Sequence, residues 1–195
     1  MAAVNSTMLP LGTPAPEFAL PDVNGDTVSL GQFDGASAFL IAFICNHCPY
    51  VFHIRRDFAR LAEEYQSRGV AVIAINANDV AQYPDDSPEK MKAQVFEAGY
   101  TFPYLFDEAQ TVAKAYRAAC TPDFYVFNHD RYLCYRGQFD DSRPGNGISV
   151  TGSDVRAALD ATLEGERILD DVQKPSIGCN IKWKPGNEPD YFAGT

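Results

Sequence analysis

The chain carries two kinds of hydrophobic pattern. Ala38 to Ile44 (AFLIAFI) is a continuous apolar run, and Val70 to Ile75 is another. Runs of this length without polar alternation fit strands covered on both faces. Between them Val51, Ile54, Phe58, Leu61, Ala62 and Tyr65 recur every three or four residues, which is helical spacing. Pro49 suits the first helical position, where its missing N–H costs nothing, and Gly69 suits the close. The pattern predicts a strand, a helix over 49–68, and a second strand.

Further along, Asn76 to Ser87 is polar and reads as a loop. Ser87-Pro88-Glu89 is a helix start, with Gly99 as the stop after Ala98. A short strand is expected over 102–106 and a helix over 109–116. Two hairpins are expected. Phe18 to Leu20 and Thr27 to Leu30 flank Asn24-Gly25, a pair suited to positive φ. Phe124 to Phe127 and Arg131 to Arg136 flank Asn128-His129-Asp130. Asp140 to Gly152 is turn-rich, and Ser153 is expected to cap a last helix to Leu163. Strands alternating with helices imply an α/β layer architecture with parallel pairs, and a closing antiparallel hairpin makes the sheet mixed. Residues 1–17 read as an extended arm, 18–164 as the domain, and 165–195 as a tail with little periodicity.

Composition narrows the chemistry. A chain of 195 residues suits one domain with a full core. A net charge of −10 argues against nucleic acid as the main partner, since that needs a cationic face. The longest apolar run is too short to span a bilayer. MAAVNSTMLPLGTPAP has no basic region followed by an apolar one, so a cytoplasmic location is expected. Thiols there are mostly reduced, and five cysteines fit poorly with a fully paired disulfide framework.

Attention therefore falls on FICNHCPYV, residues 43–51. Cys-x-x-Cys after a strand is a redox signal in a cytosolic chain. Two other readings stand beside it. The cysteines could fill space in the core, or belong to a zinc or copper site with donors among Cys45, His47, Cys48, His53 and Cys120. Helix N-termini favour a thiolate, which points to Cys48. His47, His53, Arg55 and Arg56 add positive potential nearby. The acidic runs Tyr83 to Asp86 and Asp140 to Arg143 read as solvated loops. Cys134 reads as a core or half-buried filler. Cys179 lies among Lys174, Lys182 and Lys184 and has two readings. It docks passively with the tail, or the tail folds back on Ile181 and Trp183 and Cys179 exchanges with the central pair.

A buried strand, a Cys-x-x-Cys at the head of a helix and a later Thr-Pro before a strand together resemble the thioredoxin fold. LGTPAPEFALPDVNGDTVSLGQF resembles the redoxin branch, which includes the alkyl hydroperoxide reductase/thiol-specific antioxidant family. FICNHCPYV and PSIGCNIKW resemble thioredoxin-family proteins that carry those strings. The resemblance implies a thioredoxin-like fold, a mixed central sheet flanked by helices, with an N-terminal β-hairpin and a C-terminal extension. In gapless register it puts the family's nucleophile on Cys48 and its second cysteine on Val51, which makes Cys45 the resolving partner. Thr121 and Pro122 fall on the cis-proline loop that presents backbone groups to substrate, and Cys120 falls near Cys48. Cys120 and Cys179 are the accessory thiols. The implied partners are a thioredoxin-type or low-molecular-weight thiol reductant and a disulfide or hydroperoxide substrate, with no bound cofactor. Redoxins often pair through their surfaces, so a homodimer is among the expectations. The chain departs from the peroxiredoxin pattern P-x-x-x-T/S-x-x-C, having Ile41 and Cys45 at the proline and hydroxyl positions. The family's arginine position falls near Thr121, with Arg117 close but out of register.

Overall fold

The computed structural model describes residues 3–192; residues 1–2 and 193–195, the outer ends of the expected arm and tail, lie outside the described residues. In chain order the elements are β1 (Ala3–Asn5), β2 (Ala19–Pro21), β3 (Thr27–Ser29), β4 (Ala38–Phe43), α1 (Pro49–Gln66), β5 (Val70–Asn76), α2 (Pro88–Ala98), β6 (Tyr104–Phe106), α3 (Thr111–Ala115), β7 (Cys120–Thr121), β8 (Asp123–Asn128), β9 (Leu133–Gly137), α4 (Ser153–Leu163) and β10 (Ile177–Asn180).

The central sheet runs β6-β5-β4-β8-β9. β4, β5 and β6 are parallel, and β8 and β9 are antiparallel additions. β4 lies in the middle and is buried along its whole length. That explains its unbroken apolar sequence, since a strand covered on both faces has no solvent side to make polar. Leu40 and Ala42 face a core built with Phe58 and Leu61 of α1, Met91 of α2 and Leu159 of α4. Phe39, Ile41 and Phe43 face a second core with Val112 and Ala113 of α3, Tyr116, Leu30 and Trp183.

β2 and β3 form the expected hairpin, with Gly25 at φ +90 in the turn. The helix predicted over 109–116 shortens to five residues. The last helix begins one residue earlier than a Ser153 cap would place it. Gly152 is its N-cap at φ +66; the Asp154 and Val155 N–H groups of the first turn donate to the Phe139 carbonyl oxygen at 3.2 and 3.3 Å, and the Asp140 carboxyl accepts from the Thr151 and Gly152 N–H groups just ahead of the helix at 2.6 Å each. Asp140 also accepts from the Ser142 N–H at 2.8 Å and is 2% exposed. Asp140 and Ser142 are thus buried rather than solvated, while Asp141 is exposed as expected and pairs with Lys174.

The largest difference from expectation lies at the chain ends. β1, β10 and β7 form a second, three-stranded antiparallel sheet. The arm and the tail therefore each contribute a short strand, and these pair with each other and with the short segment before Pro122. Ser6 and Ser176 exchange hydrogen bonds at 2.9 and 3.1 Å. Beyond β10, Ile181 and Trp183 are buried in the second core, and the Lys182 N–H donates to Asn78 Oδ1 at 2.8 Å.

Candidate active site

β4 ends at Phe43, so Cys45 sits in the connection to α1 rather than on the strand. Cys48 is the N-cap of α1, extended at φ −73, and Pro49 follows as the first helical residue. The connecting loop is shaped by Asp86. This carboxyl is fully buried and accepts from the Asn46 N–H at 2.7 Å, the His47 N–H at 3.2 Å and Asn78 Nδ2 at 2.8 Å. His47 Nδ1 meets Asp86 Oδ2, the oxygen that Asn78 Nδ2 also reaches, at 2.6 Å, and the ring stacks on Tyr83. The hydrogen bond to Asp86 holds the His47 imidazole above its ordinary pKa. Asn46 is fixed further by the Tyr104 hydroxyl at 3.1 Å. The expectation of a solvated Tyr83 to Asp86 run is corrected here for Asp86. A buried carboxyl needs several donors, and the backbone of the Cys-x-x-Cys loop supplies them.

Thr121 brings the thiols together. The Thr121–Pro122 peptide bond is cis. Cys45 Sγ lies 3.3 Å from Thr121 Oγ1. In its thiol form Cys48 donates to the Thr121 carbonyl oxygen at 3.2 Å. On the outer edge of β7, Cys179 of β10 is the registered partner of Thr121. Cys45, Cys48 and Cys179 pack in the same apolar cluster and are at most 3% exposed.

These neighbours set the charge. The Cys179 thiol, then the Cys45 thiol, and beyond them the Val51 and Cys179 backbone N–H groups act as donors to a Cys48 thiolate and hold its pKa well below the ordinary thiol range, against the opposing effect of burial. The partners move the other way. Burial and the bond to Cys48 keep Cys45 protonated. The bond to Cys48 and then burial do the same for Cys179. The leading influences are hydrogen bonds and the helix start, not the cations expected from sequence. Arg55 stacks on Phe52 at 3.8 Å and faces Glu97, and Arg56 is exposed. Arg117 lies over the Tyr191 ring at 4.7 Å.

Of the other predicted residues, Cys120 is buried, its Sγ 3.7 Å from the Pro122 carbonyl oxygen, and its thiol is pushed up by burial and then by Asp123. Cys134 is half-buried. Asp123 follows the cis-proline with no exposure, and burial lifts its carboxyl to about 7. For the metal reading, the donor atoms of Cys45, His47 and Asp86 lie within 4.8 Å of one another. Cys48, His53 and Cys120 are not part of that group. Asp86 is the residue sequence reasoning missed, because one buried carboxyl among exposed acids has no local signature.

The AhpC/TSA family profile matches residues 11–136. A crystal structure of an uncharacterized conserved protein from Geobacillus kaustophilus is 59% identical, covers 95% of this chain and 98% of its own, and superposes with a TM-score of 0.91. The thioredoxin domain of a thiol-disulfide oxidoreductase from Bacteroides vulgatus is 16% identical over 77% of this chain and 99% of its own, with a TM-score of 0.59; this likeness shows a thioredoxin-like fold. Thiol-disulfide oxidoreductase ResA of Halalkalibacterium halodurans is 29% identical over 117 residues, 60% of this chain and 62% of that protein. The chain thus spans about three fifths of the length of this curated relative.

Proposed function

The chain belongs to the AhpC/TSA family, and on that footing we propose that it is a thiol–disulfide oxidoreductase in which Cys48 attacks and Cys45 resolves. One observation carries the reading: Cys48 is the N-cap residue of α1, Cys45 packs in the same buried cluster, and Thr121 contacts both sulfurs; the lowered pKa of Cys48 and the raised pKa of Cys45 run in the same direction. A thiolate attacks a disulfide sulfur, and the first thiol of the substrate leaves. Cys45 then gives up its proton and attacks the Cys48 sulfur, which releases the second thiol and leaves a Cys45–Cys48 bridge. A thioredoxin-type or low-molecular-weight thiol restores the pair, in a reducing compartment such as the cytoplasm. Thr121 serves both sulfurs, through its hydroxyl to Cys45 and its carbonyl to Cys48. A hydroperoxide is a second substrate class for the same thiolate, with a sulfenate in place of the mixed disulfide. Disulfides rank first, because Cys45 stands where peroxiredoxins place a hydroxyl.

The test is iodoacetamide labelling of reduced protein at neutral pH with mass mapping, before and after one equivalent of oxidised glutathione. Cys48 is expected to label well ahead of the other four cysteines, and oxidation is expected to give a Cys45–Cys48 bridge. Slow, uniform labelling with no bridge would remove the proposal. The metal-carrier reading rests on the grouping of Cys45, His47 and Asp86. Both Asp86 oxygens already accept protein hydrogen bonds, which favours exchange over carriage. Zinc or copper at about one per purified chain would reverse that order.

A further inference from the structure

Cys48 has no exposed surface, although it is the sulfur assigned to attack. What lies against it is the tail. β10 pairs antiparallel with β7, placing Cys179 opposite Thr121 and Asn180 opposite Cys120. The approach is close because residue 178 is glycine: a Cβ there would collide with the Thr121 carbonyl oxygen, the atom that Cys48 Sγ contacts. β10 is tied in from both sides, by Ser176 to Ser6 and to the Gly137 carbonyl oxygen, and by Ile181 to the Ala119 carbonyl oxygen. A thiol is thus presented to Cys48 on an extended segment laid along the β7 edge, as an outside disulfide would present one.

We propose that Cys179 is a second resolving thiol, and that β10 is a built-in exchange partner through which a Cys48–Cys179 disulfide forms. This rests on the reading of Cys48 as the attacking sulfur. The step is an exchange with no net oxidation. Starting from the Cys45–Cys48 bridge, the Cys179 sulfur loses its proton and attacks the Cys48 sulfur. The Cys45–Cys48 bond breaks, and the Cys45 sulfur leaves with the bonding pair and takes a proton. The electrostatics change in the direction the step needs. In the reduced site the charge on Cys48 keeps Cys179 protonated. Once Cys48 is in a disulfide that charge is gone, burial still opposes ionisation, and Lys182 remains as the favourable charge. Lys182 Nζ is held 3.0 Å from the Asn180 carbonyl oxygen, one residue from Cys179. The family profile matches residues 11–136, and Cys179 lies beyond the matched stretch.

The full chain carrying Cys45→Ser tests the idea, with Cys45→Ala in parallel to keep the site apolar. Each is treated in reduced form with one equivalent of oxidised glutathione. Cys48 is expected to take one glutathione and release the other, and Cys179 then to displace the first. Mass mapping should show a Cys48–Cys179 bridge and two glutathiones released per chain. In Cys45→Ser/Cys179→Ser the reaction should stop at Cys48 bearing glutathione, with one released. If the single variants also stop there, with Cys179 still open to alkylation, the inference falls while Cys48 keeps its assigned role. If Cys48 takes no glutathione in any variant, the parent reading fails, and this one with it.

Discussion

Cys48 has a value below the ordinary thiol range when folded and about 8.5 when unfolded. Between those two values the unfolded chain carries a proton that the folded chain does not. Its contribution to stability is complete above ~8.5 and is lost as pH falls through the folded value. The stability difference between the reduced parent and Cys48→Ser should therefore grow with pH from 6 to 8.5, by up to ~1.4 kcal/mol per unit. Urea unfolding under reductant measures it, and a difference that stays flat would mean that Cys48 is an ordinary buried thiol. Asp86 acts at the same scale, but on geometry. It fixes the Asn46 and His47 backbone, and so sets where the loop delivers Cys48 to the helix.

At the scale of elements, the central strands and long helices were legible because each carries its own period. β4 and β5 are unbroken apolar runs, and α1 repeats at helical spacing. The second sheet was not legible. β1 has three residues and β7 has two, too short for a period, and their partner lies far away in sequence. What the sequence did offer was a glycine before a cysteine, and its use depends on a backbone contact visible only in three dimensions. Gly178→Ala tests that contact. The added Cβ should push β10 off β7, at a cost of roughly 1–3 kcal/mol. It should also withdraw the Cys179 donors, so that the pH midpoint for alkylation of Cys48 rises toward that of an ordinary thiol, with the Cys45 and Val51 contributions remaining. A variant that labels like the parent would show that β10 does not set the thiolate. Asp86 and Asp140 escaped for a related reason: their donors are backbone N–H groups that only the folded loops bring together.

For the whole molecule, the division into an arm, a domain and a tail does not describe how the cores are built. Ile181 and Trp183 fill the second core beside Ile41, Phe43 and Tyr116. A chain cut after residue 164 should lose on the order of 5 kcal/mol from those buried side chains alone, read as a lowered urea midpoint. An unchanged midpoint would mean that the tail only rests on the surface. Among the described residues, no helix is long and apolar enough to cross a membrane. The placement of β10 also sets an order in time. Chains emerge from the ribosome N-terminus first, and domains begin to fold as they emerge. β4, α1 and the segment before Pro122 are all made before Ile177–Asn180. During synthesis Cys48 therefore stands uncovered, without its Cys179 donors. The last strand to arrive both closes the site and completes the charge on it, so a nascent or truncated chain displays a more open and less acidic sulfur than the finished protein.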